Sequence, residues 1–232
     1  MTPEQLGDAM GDSTHARSAL WTDHAPALNA ALTAYVMDCP ARLAALLAQV
    51  RTQSGSMQNL APDAANAAGV LRLAPGVVRS ACTSDVDVAG ALPAGVTCAD
   101  ATDVQLSAVA ADVSAGWRVA AWYFVHGATA VHGAPCGDLR FDADLGIGST
   151  QSWVSRWYPG SGSYKVSTCT VGFVWDGQRE SRTQAYVSIR QQFEPNFPNT
   201  CGDGLLTPGE SDVDWCVGSG VPPTVGLCAW VR

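Results

Sequence analysis

Residues 40–55, PARLAALLAQVRTQSG, constrain this chain more than any other stretch. They read as one helix with its own start signal. Asp38 can cap it, and Pro40 suits a first helical turn, where the missing N–H costs nothing. Leu43, Leu46, Leu47 and Val50 recur at i, i+3, i+4 and i+7, one apolar stripe. Ala41, Ala44, Ala45 and Ala48 thin the neighbouring surface, so other helices can approach closely. Gln53 follows Gln49 by one turn, which puts it on or beside the stripe. The helix then stops at Ser54-Gly55. The expected fold class is mainly α.

The rest of the chain supplies companions for this helix. Its 232 residues suit one domain with a small appendage. The main domain is placed at residues 1–194 and a Cys-, Gly- and Pro-rich extension packed on it at 195–232. Thr2-Pro3-Glu4-Gln5-Leu6 reads as a helix start. Leu28, Leu32, Tyr35 and Val36 give a helical stripe over 25–37. Leu106, Val109, Val113, Trp117, Ala120, Ala121 and Phe124 keep helical spacing through 105–125, a second core helix expected to pack with the first. Residues 82–104 read as a loop that a Cys82–Cys98 bridge would close. Residues 164–177 alternate Val and Thr before Asp176-Gly177, which predicts a small β-hairpin. Ala185, Val187 and Ile189 also alternate, so Gln184–Phe193 has a strand reading beside a helical one.

Charge and cysteine content exclude some functions. The formal charge is −8 and Lys165 is the one lysine, so a nucleic-acid partner is not expected. A neutral or cationic polysaccharide fits better. Eight cysteines at wide spacing, with no CxxC pair, predict disulfides in an oxidising compartment rather than a zinc ribbon. The first twenty residues hold no apolar signal core and no run reaches transmembrane length, so the expectation is a mature secreted chain with no membrane span. His126 and His132 have no third ligand arranged near them, and Asp203, Glu210, Asp212 and Asp214 lack EF-hand spacing. No metal and no cofactor are expected.

A polar residue at the inner end of a buried helix, just before a glycine break, is where a lysozyme-type fold places its catalytic carboxylate. The run ALLAQVRTQSG also resembles glycoside hydrolase family 19, the chitinases and related endolysins. That family's helix ends in His-Glu-Ser-Gly or His-Glu-Thr after an Ala-Phe-Leu-Ala-Gln run. Thr52 stands at the His position and Gln53 at that of the general acid. Gly69-Val-Leu-Arg-Leu73 resembles the family's Gly-x-Ile/Met-Gln-Leu segment, with Arg72 in place of the cleft glutamine and Ala74 in place of threonine. WRVAAWYFV resembles a family helix that packs on the acid-bearing one. LGIGSTQSWVSRW resembles Gly-Phe-Gly-Ala-Thr-x-x-Ile-Asn-Gly: Gly148 and Thr150 align, while Ser155 and Arg156 replace Asn-Gly. Arg182 and Tyr186 keep the Arg-x-x-x-Tyr spacing of the last long helix, with Ile189 and Phe193 continuing its stripe. The resemblance covers roughly residues 2–194. It implies a lysozyme-like, chitinase-like helical domain with the 164–177 hairpin as an insertion.

Glycoside hydrolysis usually takes two carboxylates, one to protonate the leaving oxygen and one to activate water or stabilise the cationic transition state. Gln53 has no acidic proton to give. Between residues 54 and 81 the one carboxylate is Asp63; Asp142 and Asp144 are the next alternatives. Two explanations stay open: a deliberate Glu-to-Gln change in an active chitin- or peptidoglycan-cleaving enzyme, or natural loss. Five departures along three motifs favour natural loss, a pseudoenzyme. The expected function is binding of β-1,4-linked N-acetylglucosamine glycan by Gln53, Thr52, Ser54, Arg72, Thr150, Ser155 and the stacking rings of Trp153 or Trp157. A structural extracellular subunit of a coat or filament, with self-association, is the third class.

Overall fold

The computed structural model describes residues 1–37, 40–127, 139 and 179–193, and these are mainly helical. The 164–177 hairpin, the 195–232 extension and the domain boundary between them lie outside the described residues.

Helix α1, Pro3–Ala9, starts where the TPEQ pattern says it should. The Thr2 side chain accepts from Gln5 N and the Gln5 side chain accepts from Thr2 N, a reciprocal capping box with Pro3 at the first position. Asp12 ties the following turn: its carboxylate accepts from the Trp21 indole at 2.7 Å and from the N–H groups of Ala16 and Arg17. Helix α2, Ser18–Ala34, begins earlier than the 25–37 stripe because Trp21 and His24 anchor its first half in the core, and it runs through Pro26. Trp117 Nε1 donates to His24 Nδ1 at 3.0 Å, which needs a neutral imidazole, and burial pushes the His24 pKa down accordingly. The chain leaves α2 through Val36, exposed and left-handed at φ 53°, whose carbonyl is held by Arg42 Nη1 at 2.7 Å.

Helix α3, Pro40–Gln53, has the bounds read from the sequence. Every residue from Arg42 to Val50 is buried, with Ala44 to Ala48 at zero exposure. Helix α4, Pro75–Ser84, opens on its proline. Residues 82–104, expected as plain loop, contain the single turn α5, Val86–Ala89, which forms because the Asp85 side chain accepts from Asp87 N and Val88 N. Cys82 and Cys98 are bridged, with Cα atoms 5.8 Å apart.

The expected continuous helix over 105–125 is two. Helix α6, Asp103–Ala111, carries a Thr102–Gln105 capping box. Asp112 is extended and its side chain accepts from Ala115 N, starting α7, Val113–Trp122. The corner is tight: a Cβ on Gly116 would lie 2.4 Å from Ala110 O. A π-helical turn, Tyr123–Gly127, follows. Helix α8, Arg179–Phe193, resolves the 184–193 ambiguity in favour of helix, with Ala185, Tyr186, Ile189 and Arg190 as its buried face.

One apolar core joins these elements. The two expected core helices share it, but each has a different main partner: α3 packs on α8, and α7 packs on α2. Helix α4 lies on α6, and α1 rests on α2 and α8. No helix among the described residues is long and apolar enough to cross a membrane.

The bridge spans a 16-residue separation, so removing it with Cys82→Ala/Cys98→Ala should lower stability by about 3 kcal/mol through freedom returned to the unfolded chain. Urea denaturation checks this. A change under about 1 kcal/mol would mean the loop is already held by α5 and by the bonds from Arg79 to the carbonyls of Cys98 and Ala99.

Candidate functional site

The last turn of α3 emerges from the core at half-buried Arg51, Thr52 and Gln53. Thr52 Oγ1 donates back to Ala48 O at 2.9 Å. Ser54 is fully buried; its hydroxyl donates to Val50 O at 2.6 Å and accepts from Met57 N at 3.0 Å. Both hydroxyls therefore close the helix end. Gly55, Ser56 and Met57 then follow one another at φ 58°, 57° and 63°, a left-handed run that costs free energy for the two non-glycine residues. It is held by the Ser54 hydroxyl, the buried Met57 side chain, Arg17 Nη1 on Ser56 O at 2.8 Å, and Ser56 N on Arg51 O at 2.7 Å.

Asn59 joins this end of α3 to the next predicted piece. Its N–H donates to Ser54 O at 3.0 Å and its carbonyl accepts from Arg72 Nη1 at 2.7 Å. Arg72 sits at φ 50° in a turn closed by the Ala68–Leu73 bridge. That turn rests on α6: a Cβ on Gly69, at φ 79°, would lie 2.1 Å from Ala110 O, and Ser107 Oγ donates to Asn66 O at 2.6 Å. Glycine is the residue that fits there. The structure thus links Ser54, Asn59, Arg72 and Asp63 in one corner beside Thr52 and Gln53. Thr150, Trp153, Ser155 and Trp157 lie outside the described residues.

Asp63, the candidate second carboxylate, is fully engaged. One oxygen accepts from Ala65 N and Ala67 N, and the other pairs with Arg72 Nη2 at 2.6 Å. The Ala67 N–H first, then Arg72, hold its carboxyl below the ordinary range. Arg72 in turn is folded onto the 59–63 loop, where it also reaches Ala61 O.

Two polar features of the core were not read from the sequence. Gln49 is 4% exposed, and neither its amide nitrogen nor its oxygen has a hydrogen-bond partner. It lies one turn before Gln53, and its only sequence signal was the shared spacing. The other is a buried network centred on Asp85. Arg118 grips its carboxylate through Nε and Nη2 at 3.1–3.2 Å and also pairs with Asp87 at 2.9 Å, while the Tyr35 hydroxyl donates to Asp85 Oδ2. Burial pushes the Asp85 carboxyl up, but the bonds from Tyr35 and Arg118 outweigh it and the net displacement is downward. Burial and Asp85 push Tyr35 up. The network clamps α2, α5 and α7 together. No group of three or more metal-ligating side chains occurs among the described residues.

The orphaned amide makes Gln49→Met a stabilising change, by about 1–2 kcal/mol in a urea midpoint, because a buried unbonded polar group costs more than an apolar one of similar size. Ser54→Ala should cost about 1–2 kcal/mol, since it strands Met57 N. Equal losses in both variants would show that Gln49 is paired. For Asp85 the folded carboxyl lies below its ordinary value near 4, so its contribution is present above about pH 4 and is lost as pH falls through the folded value. Asp85→Asn should be less stable at neutral pH and flatter in acid; parallel pH–stability curves would contradict this.

No protein-family model, curated protein or solved structure matches the chain. Its function has to be argued from the residues of this corner.

Proposed function

We propose that this is a secreted, chitinase-like protein that binds β-1,4-linked N-acetylglucosamine chains, of chitin or peptidoglycan type, without cleaving them. One observation carries the loss of cleavage. Among the described residues, Glu4, Asp12, Asp63 and Asp85 are the carboxylates whose proton affinity is displaced, and all four are displaced downward, Asp12 to about 2; Asp142 and Asp144 lie outside the described residues. A glycosidic general acid needs displacement the other way, by an apolar pocket that holds its proton at neutral pH. At the helix end that resembles the acid position stands the amide of Gln53, which can donate and accept hydrogen bonds but has no proton to transfer.

Binding is supported by the corner itself. Gln53 and Thr52 are half-buried at the mouth of a strained turn, and strain of that kind gathers where a site needs a fixed backbone. In this reading Gln53 bonds a hydroxyl or acetamido group, and Trp153 or Trp157 covers an apolar sugar face. Thr150 and Ser155 add hydroxyls. Secretion is supported by the Cys82–Cys98 bridge, which persists in oxidising surroundings. A second reading, a structural subunit built on the same scaffold, is favoured by the inward fold of Arg72 and by the sealed hydroxyl of Ser54, which leave little of the corner to a ligand.

Titration with N-acetylglucosamine oligomers, followed by tryptophan fluorescence, should show saturable binding at millimolar sugar. Neither the protein nor its Gln53→Glu variant should hydrolyse the oligomers, because Asp63 stays tied to Arg72. Turnover by Gln53→Glu would mean that one substitution separates this chain from an active enzyme. Absence of both binding and turnover would leave the structural subunit.

A further inference from the structure

The opposite end of α3 borders a cleft of about 400 Å³. Its walls come from α1, α2, the first turn of α3 and the last residue of α8. Leu32, Pro40, Leu43 and Phe193 make the apolar part, and Gln5, Asn29 and Thr33 the polar part. Met1 also lines it, so the one charge at its wall is the Met1 ammonium, which is bonded to Asn29. We propose that this cleft is a binding site for a neutral, hydroxyl-rich ligand of mono- or disaccharide size.

The size comes first. The volume falls in the range of pockets that hold small organic ligands, which begins at about 300 Å³, and far exceeds what a single water needs. The polar atoms come next, and most are fixed in place. Asn29 Oδ1 accepts from the Met1 ammonium at 2.8 Å, and Asn29 Nδ2 donates to Met1 O at 2.8 Å. Gln5 Oε1 accepts from Thr2 N at 2.8 Å, and Gln5 O accepts from Gln192 Nε2 at 2.8 Å, which ties α1 to α8 across the cleft. Thr33 Oγ1 gives its proton to Asn29 O at 3.0 Å.

What these bonds leave over defines the ligand. Gln5 Nε2 has no partner among the described residues. Asn29 keeps one amide N–H, and Thr33 keeps its hydroxyl oxygen as an acceptor. Two amide donors and one acceptor, on side chains whose other atoms are already anchored, form a preorganised neutral set. A cation entering here would lose hydration and meet the Met1 ammonium, and an anion would find that ammonium already bonded to Asn29 Oδ1 and no charged side chain beside it. A purely apolar ligand would cover those donors without satisfying them. A sugar has hydroxyls for the rim and a C–H face for Phe193 and the leucines.

The site is separate from the Gln53 corner. Leu43 and Gln53 are ten residues apart on one helix, about 15 Å at a rise of about 1.5 Å per residue. Binding here therefore does not depend on the function proposed for that corner.

The test is amide chemical-shift mapping on the full chain, with N-acetylglucosamine, cellobiose and hexanol as probes. The expected result is saturable shifts from a sugar at millimolar concentration, centred on Gln5, Asn29, Thr33 and their neighbours. Thr33→Trp places a large ring at an exposed rim position and should weaken the response at least about tenfold, or 1.4 kcal/mol. Thr33→Val, which keeps the shape and removes the hydroxyl, both the acceptor and its bond to Asn29 O, should weaken it less. Circular dichroism confirms that both variants keep their helices; if Thr33→Trp does not, Thr33→Val alone decides. Sugar shifts confined to residues 52–73 would assign the sugar to the other corner and overturn the proposal. So would binding of hexanol but not sugar, shifts unchanged by the Thr33 variants, or no shift at all.

Discussion

Everything in this structure depends on a helix that has no outer side. From Arg42 to Val50 α3 shows no residue to water, and an apolar stripe alone covers only part of such a surface. The alanines cover the rest, because residues without a side chain beyond Cβ let neighbouring backbones come close. The main cover is α8, more than a hundred residues later in the chain, so residues 40–53 are completed by residues 179–193. Enclosure also dictates the fate of the polar residues that α3 carries. Arg42 reaches out to the carbonyl of Val36, Ser54 bonds back to Val50, and Gln49 is left with nothing.

Where pattern and local chemistry agree, the sequence was readable. Pro40 and the Ser54-Gly55 stop bound α3, TPEQ starts α1, and the closeness of Cys82 to Cys98 follows from the loop between them. The errors have common causes. The apolar stripe of 25–37 marks only part of α2, because buried Trp21 and His24 extend the helix backward through Pro26. Apolar spacing runs across Asp112 without a break, since α6 and α7 bury the same kinds of residue; only the aspartate's capping bond to Ala115 N separates them. The Asp85 network spans more than eighty residues, so no local pattern announces it.

The candidate corner was partly legible. The end of α3 and the Gly69–Leu73 turn were paired from resemblance, and the structure joins them through Asn59. What the sequence did not reveal is the backbone between them. Gly55 signals one left-handed residue, but Ser56 and Met57 take the same conformation because Met57 must return to the core. The Arg72–Asp63 pair is equally hidden, because their meeting depends on the turn that Gly69 permits.

The acidic character of the chain takes on a structural meaning here. Asp12, Asp63 and Asp85 each accept hydrogen bonds from backbone N–H groups a few residues ahead, and each thereby starts a helix or closes a turn. A carboxylate used in this way is stabilised as an anion, which is the opposite of what proton donation to a leaving group requires. Amides carry no such conflict. Gln5 and Asn29, beside the first turn of α3, keep amide donors that do not titrate at any physiological pH.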